Sequence, residues 1–433
     1  MPGMPSVPQQ RWPFGLTYPI AVVAPSPPFH SSLAGFSLPA ARRPPQSCVR
    51  RRRTPADMRK PHPWAPSCGR AAPAAQPDVA YNARMRPALS AMLVSLLAGG
   101  AGAQVPPSLA PGDPAPELKI GVWLKGGAVA SFEPGRLYVL DLWATTSAPC
   151  KESIPHLSEL QQRYADALTV IGVSEELPQV VESYVNALAQ AGKAGYRMAA
   201  DPDGSTFKDY YHTSAREGLP AAFLIRDGRI LWIGHPLELD KVLPRVQAGT
   251  WKVEDARKAF GLLYQLQIFH LVFERASGDE KLHILEGCLS AMGQLVALDE
   301  DLYGSFRVDQ FQLLVGPLQR PKDAYALADT ILEKDWDEAF SLHDLAWSIV
   351  DPAAMVQDRR LDVAMKAATH ACELTRYEDA GLVSTLARVY YTAGDVREAV
   401  RLQERAVELA GKDAEPEQRV LDEYKKTLRD REI

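Results

Sequence analysis

Trp143-Ala144-Thr145-Thr146-Ser147-Ala148-Pro149-Cys150 is a turn, polar at Thr145-Thr146-Ser147, set between two apolar elements. Before it, Tyr138-Val139-Leu140-Asp141-Leu142-Trp143 is an apolar, β-branched and aromatic run of strand length, interrupted by one acid, Asp141. After it, the spacing predicts a helix from Lys151, with Glu152 in its first turn and Leu157 and Leu160 on one face. A strand that feeds a helix through a short loop puts that loop at the helix N-terminus. Unpaired N–H groups and the positive end of the helix dipole gather there and favour a thiolate. Ser147-x-x-Cys150 therefore occupies a position suited to thiol chemistry, yet carries one sulfur.

Working outward, Leu168 to Val173 reads as a second buried strand, alternating with helical segments as a βαβ unit does. Further on, Gly218-Leu219-Pro220 precedes the apolar run Ala221-Ala222-Phe223-Leu224-Ile225. The pair Asp227-Gly228 and a second run, Arg229 to Ile233, complete a predicted β-hairpin with proline at its entrance.

Together these segments resemble the TlpA-like, or redoxin, branch of the thioredoxin superfamily over residues 110–249. The resemblance is carried by Leu142-Trp143-Ala144-Thr145, by Pro149-Cys150, by Pro155-His156-Leu157, and by Gly218-Leu219-Pro220-Ala221-Ala222-Phe223 with a downstream Gly-Arg-Ile. It implies an α/β thioredoxin-like fold, a central mixed sheet flanked by helices. It also implies that Pro220 is a cis-proline facing the active-site turn, that the Leu219 backbone pairs with an extended substrate strand, and that Asp141 is a buried acid exchanging protons with Cys150. Trp143, Leu219 and Pro220 are the expected substrate-binding residues; Cys150, Ser147 and Asp141 are the expected catalytic set.

The departure from the family pattern is Ser147, which stands where the attacking cysteine belongs. A dithiol couple needs one thiolate to open a disulfide and a second thiol to resolve the mixed disulfide. A serine hydroxyl is not ionised at neutral pH and cannot take up the electrons. Cys150, one helical turn further on, is expected to be buried with a raised pKa. Three readings stay open for it: a small buried hydrophobe kept for packing, a peroxiredoxin-like thiol aided by the Ser147 hydroxyl, and a slow monothiol that forms mixed disulfides.

The N-terminal segment bears on the compartment. Residues 1–84 hold about half of the chain's 35 prolines, the block Arg50-Arg51-Arg52-Arg53 and two acids, so they are expected to be a disordered extension, upstream of translation from Met85. Residues 85–103 read as a signal peptide: Met85-Arg86, the apolar stretch Ala88 to Leu97, and Ala101-Gly102-Ala103 before Gln104. Export to the periplasm or beyond follows, with no lipid or membrane anchor after cleavage. The remaining chain would carry 36 basic and 51 acidic residues, a net charge of −15, which argues against a nucleic-acid partner. It would keep Cys150, Cys288 and Cys372, an odd number, with a Cys288–Cys372 bridge left open.

After the thioredoxin-like domain, 104–249, the pattern turns helical. Residues 250–320 read as a helical linker region with apolar faces such as Ala259-Phe260-Leu262-Leu263-Leu266 and Leu282-Leu285-Leu289. Residues 321–433 read as an all-α, tetratricopeptide-like domain. There Ala364, Ala371 and Ala387 have the small-residue spacing of paired helices, Ala399 and Ala406 repeat the first two, and Leu345-Ala346 opens an earlier repeat. A simple helical bundle remains the alternative. Either surface suits a protein or peptide partner. His212, His235, His270 and His283 lack metal-ligand spacing, and the sequence has no phosphate loop, dinucleotide fingerprint or nucleophile elbow, so no metal or cofactor is expected.

Overall fold

The computed structural model describes residues 107–432, apart from Ala191 and Glu217. The expected extension at 1–84 and signal peptide at 85–103 lie outside the described residues. Apolar runs of strand length become β1 (Val122–Lys125), β2 (Leu137–Leu142), β3 (Leu168–Ser174), β4 (Arg197–Ala200), β5 (Ala221–Arg226) and β6 (Arg229–Gly234). They form a mixed sheet in the order β1-β4-β3-β2-β5-β6. β2 runs parallel to β3 and antiparallel to β5. The β5–β6 hairpin turns at Asp227 and Gly228, both with positive φ, as a two-residue hairpin loop requires.

Period-two alternation along β2 sorts its side chains between two cores. Val139 and Trp143 face a cluster closed by α1 (Ala148–Arg163), α2 (Pro178–Gln190) and α4 (Leu239–Gln247). Tyr138, Leu140 and Leu142 face the other side, covered by Leu109, by Tyr210, which lies just after the short helix α3 (Ser205–Phe207), and by Phe260 of α5 (Val253–Phe273). The mixed sheet is thus capped on one face by the first helix of the region that follows it.

That region is all-helical in the described residues. Residues expected to be a linker build a core of their own from α5, α6 (Asp279–Leu298), α7 (Glu300–Tyr303) and α8 (Phe306–Val315). Leu282, read from spacing as part of the buried face, is exposed; the face runs instead through Ile284, Leu285, Cys288, Ala291 and Leu295. A second core joins α8 to α9 (Pro321–Lys334), α10 (Ala339–Val350), α11 (Leu361–Leu374), α12 (Ala380–Ala393), α13 (Val396–Ala410) and α14 (Glu415–Glu432). Ala364, Ala371, Ala387, Ala399 and Ala406 are all buried in it. Their missing volume lets consecutive helices approach closely, and Gly394 at φ 94° ends α12 so that α13 can fold back. Cys288 and Cys372 lie in different clusters and are free, so the bridge left open by the sequence is not formed. No described helix is long and apolar enough to cross a membrane.

Candidate functional site

The turn after β2 is built around its serine. Helix α1 begins at Ala148, three residues earlier than the apolar spacing predicts, because Ser147 caps it and Pro149 in its first turn needs no backbone donor. Glu152 consequently lies beyond the first turn. The Ser147 hydroxyl accepts from the Cys150 backbone N–H at 3.4 Å and donates to the Leu219 carbonyl at 3.2 Å. One side chain thus satisfies an orphan donor of the helix and ties the helix to the strand entrance, where the Leu219–Pro220 peptide bond is cis. Ser147 and Leu219 are 72 residues apart in sequence.

A second clamp was not foreseen. Glu176, just after β3, accepts from the Thr145 backbone N–H at 2.6 Å and from the Thr145 hydroxyl at 2.8 Å, and Ser174 donates to the same carboxylate at 3.0 Å. The turn is therefore held from β3 on one side and from the cis-proline loop on the other. No local pattern marks Glu176, because its partner lies on another strand–loop junction.

Beneath the turn, Cys150 is fully buried in the cluster that also holds Trp143 and Ile154. Burial pushes its thiol up to about 12, against a smaller opposing pull from the Ser147 hydroxyl and the Ala144 backbone. Asp141 is also fully buried, and neither carboxylate oxygen has a hydrogen-bond partner among the described residues. Desolvation raises its carboxyl to about 8. The register sets Asp141 between Gly172 and Ala222, the two smallest side chains available. At Gly172 a Cβ atom would lie 3.0 Å from the Tyr196 ring and 3.1 Å from Trp143 Nε1, so a larger residue there would make one of the two rings give way.

The structure thus gathers Ser147, Cys150 and Asp141 with Leu219 and Pro220 at one end of the sheet. Trp143 differs from its expected role. It is fully buried, 5.8 Å from the Tyr184 ring, and supports the turn from below instead of presenting a surface to substrate. The aromatic side chain points into the core because it shares the β2 face with Val139. Pro220 is buried as well, leaving Leu219 as the partly exposed member of that edge. His235, after β6, is hydrogen-bonded and partly buried. Its Nδ1 accepts from the Leu237 N–H at 3.3 Å, and burial, with Arg216 and His156 nearby, lowers it to about 4. Among the described residues, no group of three or more His, Cys, Asp or Glu is disposed to hold a metal ion.

Chemically, the arrangement offers the partly exposed Leu219 segment, a hydroxyl at the helix tip and a thiol that burial keeps protonated. The family model described as the AhpC/TSA family matches residues 111–233. Protein FixW of Rhizobium leguminosarum is 29% identical over 206 residues, which cover 45% of this chain and 93% of FixW. The thiol:disulfide interchange protein HelX of Rhodobacter capsulatus is 29% identical over 127 residues, covering 28% of this chain and 66% of HelX. Among solved structures, a thiol:disulfide interchange protein of the thioredoxin family from Chlorobium tepidum aligns with a TM-score of 0.26 at 22% identity, over 31% of this chain and 94% of that chain.

Proposed function

We propose that this chain, whose residues 111–233 form a domain of the redoxin branch of the thioredoxin superfamily, binds extended or cysteine-bearing protein segments at the Leu219–Pro220 edge with little or no dithiol turnover. The reading rests on Ser147, which stands where the attacking thiol belongs and is engaged as a helix cap. Cys150 does not replace it. At pH 8 a thiol whose pKa is about 12 is ionised in about one molecule in ten thousand. The Leu219 carbonyl accepts one bond from Ser147 and keeps a second lone pair for an incoming strand.

The helices after residue 320 supply a tetratricopeptide-like surface for a protein partner, and the chain works after export, directed by the signal sequence at 85–103. Single-cysteine chemistry at Cys150, whether peroxide reduction or monothiol exchange, is the second reading; it has the Ser147 hydroxyl beside the thiol in its favour and the burial of that thiol against it.

Insulin reduction tests the proposal. The natural chain should show only background, whereas Ser147→Cys, which returns an attacking thiol to the helix tip, should turn over at least about 100-fold faster because it supplies a far larger thiolate fraction. Sustained reduction by the natural chain that is lost in Cys150→Ala would refute the reading.

A further inference from the structure

An open cleft of about 1000 Å3 lies between the end of β6 and helices α7, α8 and α10. Arg216, in the segment leading to Leu219–Pro220, lines its sheet-side wall together with His235. Much of the charge on the helical wall is already neutralised. Arg307, almost wholly buried, is held by Glu300 and by Asp335 at 3.3 Å, and the Ser341 hydroxyl donates to Asp335 at 2.7 Å.

Asp309 stands apart. It lies in the first turn of α8, faces the cleft and is 9% exposed, and no donor among the described residues reaches its carboxyl group. The charge that bears on it is a like one, Asp344 of α10, which lines the same opening and whose own partner is the adjacent His343. Arg307, two residues away on α8, is committed to Glu300 and Asp335 instead. The basic residues of the cleft wall, Arg216, Lys241, Arg245, Arg307 and Lys334, form no ion pair with Asp309, so its carboxyl, facing a second carboxylate, is left open to a cation from outside. No metal-holding cluster exists among the described residues, so that cation must bring its own hydrogen-bond donors, as guanidinium and ammonium groups do. Phe340, 66% exposed, lines the same cleft and offers an apolar face to an alkyl stem.

We propose that this cleft seats an arginine or lysine side chain of an extended polypeptide segment, with Asp309 and Asp344 receiving the cationic head and Phe340 covering its stem. That the cation comes from a polypeptide rests on the binding role proposed for the neighbouring Leu219–Pro220 edge; the acidic seat itself does not depend on that role.

Fluorescence anisotropy on the full chain, using a short dye-labelled Gly-Ser peptide with one arginine and a matched peptide with citrulline in its place, provides the test. The arginine peptide should bind roughly tenfold or more tightly than the citrulline peptide, and Asp309→Asn should abolish the difference. Equal affinity for the two peptides, or binding of neither, would overturn the seat. Free agmatine binding as tightly as the arginine peptide would overturn a polypeptide as its occupant. The two peptides are compared on the unaltered protein, so misfolding of a variant cannot mimic either result. Equal binding of both peptides removes the seat and leaves the edge reading intact, whereas arginine preference in a chain that shows insulin turnover dependent on Cys150 keeps the seat and removes the other reading.

Discussion

Cys150 and Cys372 are both buried, both free and both pushed up to about 12 by desolvation, yet their surroundings differ in kind. Around Cys150 stand a capping hydroxyl, a helix N-terminus and the buried carboxyl of Asp141, the last influencing it electrostatically. Cys372, in α11, packs in a cluster of alanines and aliphatic side chains and serves as a small hydrophobe. Burial alone therefore does not distinguish the thiol beneath the turn from one in ordinary packing. What distinguishes it is polar apparatus with no packing purpose, and the clearest piece is Asp141, whose two oxygens lack partners in the core.

The largest expected effect sharpens that contrast. The Asp141 carboxyl has an ordinary pKa of 3.8 and a folded value of about 8, so between those values the folded chain holds a proton that the unfolded chain has released. Stability contributed by this group is therefore full below about pH 4, falls as pH rises to about 8, and is flat beyond. Asp141→Asn should match the natural chain near pH 4 and exceed it by on the order of a few kcal/mol above pH 8, measured by urea unfolding across pH. A constant difference across that range would mean that the carboxyl finds partners in the folded state.

In the helical region the corresponding perturbation is steric. Ala387 is fully buried on α12 in the core that also holds α11 and α13. Ala387→Leu should cost about 1–3 kcal/mol in thermal or urea unfolding, with no dependence on pH between 5 and 9, because overpacking displaces neighbours without charging them. No loss of stability would show that these helices have room between them and that the alanine spacing reflects something other than close approach.

The smallest effect returns to the turn. Ser147→Ala removes the cap on α1 and the link to Leu219, and should lower stability by about 1 kcal/mol. A neutral outcome would mean that the serine is held by the fold without contributing to it.

Much of this was legible from local pattern. The β2 run, the hairpin with its Asp227-Gly228 turn and the five alanines each follow from a period, a turn dipeptide or a small-residue spacing. The start of α1 was legible too, since Ser147 followed by a proline in the first turn is a capping signature that outweighs the first apolar residue. Trp143 is buried for a definite reason: strand alternation puts it with Val139 inside the core, whatever its position beside the turn. The Glu176 clamp, the Ser147 to Leu219 bond and the Asp309–Asp344 pairing could not be read in this way. Each joins residues brought together only when separate elements pack, and none leaves a periodic trace.

Burial makes the Cys150 thiol at the helix tip a closed, protonated group, expected to be no more reactive than the thiols that merely fill space. Iodoacetamide labelling of the folded chain at pH 8, followed by peptide mass spectrometry, tests it directly. Cys150 should remain unmodified over hours, as Cys288 and Cys372 should, since all three are buried and raised to about 12. Rapid modification of Cys150 while the other two stay protected would mean that the site holds a working thiolate.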